Sequence, residues 1–256
     1  MDSQSAQPWL AACYLPVSPF SLKSALATSS GGKTLLVPTP YAIKMALLDA
    51  AIRAHGVSTG EALFPLLRDL RVAVAVPRNL VVQNSFAKIR RRWEPPKSVG
   101  ADAAAAQARD RGKGNYPWKA TIAYREYVQF GGPLSLAFSA PEGADLGPVA
   151  ALLPCINYLG RRGGFLQIAA PPERLEALPA PYRVLTDPLA ADYGDEWTLQ
   201  MLDDCAPSLT FAQANIYTAD RITLGKQRVL RHVPLPLRLA RSSRSFSLYT
   251  RIDPAL

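Results

Sequence analysis

Residues 119–138 read KATIAYREYVQFGGPLSLAF. Two runs rich in β-branched and aromatic residues flank Gly131-Gly132-Pro133. Glycine supplies turn conformations closed to other residues and proline interrupts a ladder, so the pattern predicts two strands joined as a hairpin. Tyr124 and Tyr127 are three apart and fall on opposite faces of the first strand. Arg125 and Glu126 between them read as an ion pair on the sheet surface.

Working outward, WLAACYLPV at 9–17 predicts an opening strand. Over 40–54, Ile43, Ala46, Leu47, Ala50 and Ala51 recur at helical spacing. Thr39 is the expected N-cap, Pro40 the first helical residue and Gly56 the stop. A second helix is predicted over about 60–69, and RVAVAV at 71–76 predicts a strand closed by Pro77. Downstream, Asp145 opens a helix over 145–158 that turns Val149, Leu152, Leu153 and Ile156 inward. Pro154 should kink or shorten it. YLGRRGGFLQIAA then gives a glycine-arginine loop and a strand at 165–169. The order strand, helix, strand, strand, helix, strand is the βαββαβ pattern of an α+β, ferredoxin-like fold, shared with RNA-recognition modules. Residues 1–170 are the expected core, and the Pro-rich residues 171–256 a smaller β-rich C-terminal region.

Residues 78–119 interrupt this order. They hold ten bases against three acids, Glu94, Asp102 and Asp110, a net of +7. The middle, PPKSVGADAAAAQARDRGKG, has low complexity and turn signals, so the segment reads as a long basic excursion from the core.

The whole chain has 256 residues and a net charge of +9, a balance that favours an anionic partner such as nucleic acid. Cys13, Cys155 and Cys205 are scattered without a C-x-x-C pair, which suggests neither a zinc site nor a disulfide framework. No signal peptide and no apolar run near 18 residues is present, the pattern of a cytoplasmic chain with no membrane partner. ATSSGGKTLLVP at 27–38 ends like a phosphate-binding loop, with Gly32, Lys33 and Thr34 in place but Ala27 where the first glycine belongs. That mechanism needs a helix starting at the Lys-Thr pair, and Pro38 and Pro40 forbid it. The stretch therefore reads as a basic Ser/Gly loop, with Lys33 a candidate phosphate contact.

Three groupings suit nucleic acid. Lys88, Arg90, Arg91, Arg92 and Trp93, with Tyr116 and Trp118 across the excursion, combine phosphate-binding cations with stacking faces. Gly160, Arg161, Arg162, Gly163 and Gly164 bring arginine forks to a loop whose backbone amides can bind an anion. Arg221, Lys226, Arg228, Arg231, Arg238, Arg241, Arg244 and Arg251 follow one another with no acid between 221 and 251. Catalytic residues are scarce: His55 ends a helix, and His232 lies beside bases. No carboxylate or histidine cluster suggests a metal, and no cofactor motif is found.

PTPYAIKMALL, TIAYREYVQFGG and YLGRRGGFLQI, in this order over residues 9–170, resemble the Cas-five subunits of type I CRISPR effector complexes (Cascade), within the RAMP superfamily. The chain departs from that family at Met45, where a small residue is common. The resemblance implies that the excursion is a β-hairpin thumb and that the subunit caps the 5′ handle of the guide RNA (crRNA). It implies as partners crRNA, the backbone and large subunits of Cascade, and target DNA. Lys33, Lys88, Arg90, Arg91, Arg92, Trp93, Arg125 and the loop Gly160, Arg161, Arg162, Gly163 and Gly164 are then the expected RNA contacts, with no catalytic residue. One branch of the family cleaves precursor guide RNA without metal, which leaves endoribonuclease as the alternative.

Overall fold

The computed structural model describes residues 8–27, 32–95, 102–189 and 193–253. Lys97 and the rest of 96–101, and residues 28–31 of the Ser/Gly loop, lie outside the described residues. The chain opens with β1 (Trp9–Pro16). The helix α1 (Pro40–His55) starts at Thr39, whose hydroxyl accepts from the Ala42 N–H at 3.1 Å. Such a cap contributes about 1 kcal/mol. Gly56 ends α1 at φ +88°, a conformation that favours glycine. Next comes α2 (Val57–Asp69), which begins three residues before the sequence-based estimate, then β2 (Arg71–Ala75).

The basic excursion is regular over its described residues. β3 (Asn79–Arg92) and β4 (Trp118–Phe130) pair antiparallel from Leu80–Phe130 out to Arg92–Trp118. Between them α3 (Ala103–Gly112) uses the Ala-rich tract, the best helix-forming composition available. The Trp93 indole N–H donates to Asp110 at 2.6 Å, and the Tyr116 ring meets Trp93 edge-on and lies under Arg111. Only Leu80, Val82, Val128 and Phe130 of this hairpin are buried in the main core. The ten β3 residues from 83 to 92 stand beyond it as an arm; at ~3.3 Å per residue they reach roughly 30 Å.

β5 (Leu134–Ser139) corrects the expected hairpin. It pairs with β1 and β2, whereas β4 pairs with β3, so the two runs around Gly131-Gly132-Pro133 belong to different sheets. The Gly131 N–H donates to Asn79 O at 2.9 Å, and a side chain there would come within 2.8 Å of that oxygen. The turn thus closes the β3–β4 ladder and delivers the chain to the other sheet. α4 (Gly147–Leu152) and a short 3-10 turn at Leu153–Cys155 follow, the helix shortened where Pro154 stands. Val149, Leu152, Leu153 and Ile156 are all buried.

The remaining strands are β6 (Leu166–Ile168), β7 (Glu173–Leu175), β8 (Tyr182–Val184) and β9 (Thr198–Cys205). After α5 (Phe211–Ala214) come β10 (Arg228–Leu235), β11 (Leu237–Ser242) and β12 (Phe246–Arg251). The first sheet runs β6-β1-β5-β2-β8, with β7 also on β1. A second runs β11-β12-β3-β4, and β9 pairs with β10. All the strand pairings are antiparallel, giving a mixed α and β architecture with antiparallel sheets. β1 is buried on both faces: Leu10, Ala12 and Tyr14 join the main core, Trp9 and Ala11 a smaller one closed by Leu175, Leu178, Tyr182 and Val184. Leu202, Val233, Leu235 and Leu237 from the C-terminal region share the main core with β1 and α1.

Within that core lies an ion network. The Lys44 ammonium on α1 donates to Asp204 on β9 at 2.7 Å, both side chains 2 % exposed. Arg231 reaches the other Asp204 oxygen at 2.8 Å, and Arg228 reaches Asp203 at 2.5 Å.

Candidate nucleic-acid interface

Strand alternation sorts the arginine run onto two faces of the arm. Lys88, Arg90 and Arg92 stand on the same face as the buried Leu80 and Val82, and are exposed. On this inner face they alternate with Phe86, Ile122 and Trp118, which are 64, 66 and 51 % exposed. Phe86 and Tyr124 pair across the strands with ring centroids 5.0 Å apart. Arg91 and Arg125 stand on the opposite, outer face. Trp93 is half-buried among Asp110 and Tyr116, so the freely offered aromatic faces are Phe86 and Trp118. Phe86 and Ile122 were missed in the sequence; their alternation with the bases runs across two strands, Lys88 facing Ile122, and is not present in either strand alone.

Residues 17–27 and 32–34 tie the arm to the glycine-rich loop. Phe20 exchanges both backbone hydrogen bonds with Val128 at 2.7 and 2.8 Å. The Glu126 N–H donates to Gly32 O, and the Glu126 carboxylate accepts from the Thr34 N–H at 2.9 Å and the Tyr124 hydroxyl at 2.7 Å. Glu126 therefore anchors the Ser/Gly loop, which replaces its expected pairing with Arg125. Burial, with the bond to Glu126, pushes the Tyr124 hydroxyl up to about 12, so it remains a protonated donor. A side chain at Gly32 would run into Tyr124, and Lys33 is held exposed between Gly32 and Thr34. The stretch does not enter a helix at Lys33; α1 begins at Pro40, as the prolines required.

The loop at 160–164 sits on the same segment. Its Arg161 N–H donates to Ser21 O, Gly164 N–H to Arg161 O, and Phe165 N–H to the Ser18 hydroxyl. The Arg161 and Gly164 amides are thus consumed by the fold, while the guanidinium groups of Arg161 and Arg162 stay exposed to an anion. Gly160 has φ +72° and a side chain there would come within 2.8 Å of the Phe20 ring. Gly163 has φ +105° but faces open space. Gly160→Ala is therefore expected to lower the urea midpoint more than Gly163→Ala, which carries the backbone strain of about 1–3 kcal/mol alone. Equal losses would contradict the packing of this loop on Phe20.

Beside the loop, Thr39, Tyr41, Met45, Tyr158, Gly160 and Arg228 line a pocket of about 220 Å³. Asp203 fixes Arg228, whose guanidinium lies 4.4 Å from the centre of the Tyr41 ring. Burial raises the Tyr41 hydroxyl, with Arg228 opposing the shift. The acid-free stretch of 221–251 is thus partly neutralised by its fold: Arg228 and Arg231 face Asp203 and Asp204, and Arg251 faces Asp253. His232 is exposed on β10 opposite Met201. Among the described residues no group of three or more His, Cys, Asp or Glu is placed to hold a metal ion. No described helix is long and apolar enough to cross a membrane.

No protein-family model and no curated protein matches the chain. Among solved structures it is similar to a CRISPR protein from Archaeoglobus fulgidus, at 12% identity and a TM-score of 0.42, covering 96% of this chain and 92% of that one. It is similar also to a chain of a CRISPR RNA-guided surveillance complex, at 19% identity and a TM-score of 0.42, covering 89% and 90%.

Proposed function

We propose that the chain is a non-catalytic guide-RNA-binding subunit of a type I CRISPR surveillance complex, capping the crRNA 5′ handle. The sequence resemblance suggests the role. The observation that carries it is the inner face of the arm, where three cations alternate with three exposed apolar side chains. Cations at that spacing neutralise backbone phosphates, while exposed rings stack on bases of any sequence. The sheet order β6-β1-β5-β2, with helices between β1 and β2 and between β5 and β6, supports a ferredoxin-like RAMP core. Lys33, Arg161 and Arg162 extend the cationic surface from the arm towards the pocket of Tyr41 and Arg228, which is small enough to suit a single base. Partners of the same reading are the backbone and large subunits and target DNA, in the cytoplasm.

The test is fluorescence anisotropy with a labelled repeat 5′-handle RNA and a scrambled RNA of equal composition, in EDTA. The handle is expected to bind at least tenfold more tightly, with strong salt dependence, and to emerge uncut. Equal affinity for the two RNAs would remove the capping role, and a single clean cut would replace it with the endoribonuclease.

A further inference from the structure

The outer face of the β11-β12-β3-β4 sheet is unused by the reading above. Its side chains come from two segments of the chain more than a hundred residues apart. Arg91, Arg125 and Tyr127 stand on it from the arm hairpin, with Lys119. Phe246 stands beside Gln83, and Arg241, opposite Leu248, lies 5.8 Å from the Phe246 ring. No carboxylate stands at an outward position of the four strands. Arg91 and Lys119 are cross-strand partners, and like charges directly opposite destabilise a ladder. The strands thus keep such a pair with no outward carboxylate of their own, with the half-buried rings of Tyr127 and Phe246 further along the same face, an arrangement for an anion that also stacks. Arg238 on that face is already taken by Glu196 at 3.5 Å.

We propose that this outer face binds a second single-stranded nucleic acid, distinct from the strand on the inner face. The phosphates would lie along Arg91, Lys119, Arg125 and Arg241, and bases against Tyr127 and Phe246. A short strand of about 12 nucleotides falls within the range that a β-sheet platform engages. A mononucleotide or an acidic peptide fits less well, because the cations are spread along the sheet instead of converging. The two faces belong to one hairpin, so an arm of this kind would keep two strands apart by the thickness of a single sheet.

The experiment titrates labelled dT12 and, in parallel, labelled U12 into the intact protein already saturated with unlabelled handle RNA. A saturable second site, not displaced by excess handle RNA, is the expected result; comparison of the two oligonucleotides tells whether DNA or RNA is preferred. Two variants test the surface from opposite ends: Arg91→Ser/Lys119→Ser/Arg125→Ser, and Arg241→Ser/Phe246→Leu. Each is expected to weaken the second site on the order of tenfold at ~0.1 M salt, and Arg241→Ser/Phe246→Leu, which touches none of the expected guide contacts, is expected to leave handle-RNA binding within twofold. Loss of the second site on Lys88→Ser/Arg90→Ser/Arg92→Ser, with no effect of the outer variants, would overturn the proposal. So would complete competition between the strands at one-to-one stoichiometry. A protein that fails to distinguish handle from scrambled RNA yet still binds dT12 through the outer face would sink the capping role alone. Circular dichroism of each variant separates lost binding from lost folding, and the pair of variants keeps the test decisive if one of them unfolds.

Discussion

Asp204→Ala is expected to cost about 3–5 kcal/mol of folding stability, read as a lowered urea midpoint. The Lys44 ammonium is buried and has two acceptors, Asp204 at 2.7 Å and Arg68 O at 2.8 Å. Removing the carboxylate leaves a buried positive charge with one neutral partner, and that unpaired charge is the source of the cost. Lys44→Met should cost less, by about 2 kcal/mol. It leaves Asp204 still accepting from Arg231 and from the Cys205 N–H. The double change Lys44→Met/Asp204→Leu should recover most of the loss, since apolar replacement of a buried pair is often neutral. A second readout is Cys205, whose thiol burial pushes up to about 12. The thiolate is the reactive form, so the native thiol should resist alkylation near pH 8 and react only as the protein opens. Asp204→Ala should speed that reaction; an unchanged rate and midpoint would mean the pair is not buried.

This network was legible only in fragments. α1 carried its own signals, because caps and helical periodicity are local: Thr39, Pro40 and Gly56 fix its ends without help from the rest of the chain. Lys44 interrupts the apolar stripe of Ile43, Leu47 and Ala51, and Asp203-Asp204 interrupts an apolar strand. Each is a visible anomaly, but nothing local says that they meet 160 residues apart.

The Gly131-Gly132-Pro133 turn failed for the same reason. Alternation tells which side chains share a face, while the partner strand is chosen by distant register. β5 finds β1 and β2 because Leu134, Leu136 and Phe138 complete their buried face, and β4 stays with β3. The long β3 was hidden differently. Its outer half, FAKIRRR, is dominated by bases and lacks a clean apolar alternation, so it read as a charged excursion. What holds it extended is a 13-pair ladder with β4. The individual cations were therefore visible in the sequence as a group, but their division into inner and outer faces appears only once the strand is known.

That division makes the inner face separable by salt. Lys88→Ser/Arg90→Ser/Arg92→Ser is expected to weaken handle-RNA binding on the order of a hundredfold at ~0.1 M salt, with the deficit shrinking towards parity near 1 M. Each single-strand phosphate contact contributes about 0.7 to the slope of log affinity against log salt, so three lost contacts flatten it by about 2. Phe86→Ala, together with Trp118→Ala, should behave otherwise. Stacking releases few counterions, and its loss, about 1–3 kcal/mol per base, should displace the salt plot downward without changing its slope. Neither variant should move the urea midpoint by much, since all five side chains are exposed beyond the core. If the triple variant keeps the wild-type slope, the inner-face cations do not touch phosphate and the arm is not the guide-binding element. If the aromatic variant flattens the slope as much as the triple variant does, the rings act by holding the cations in place and not by stacking.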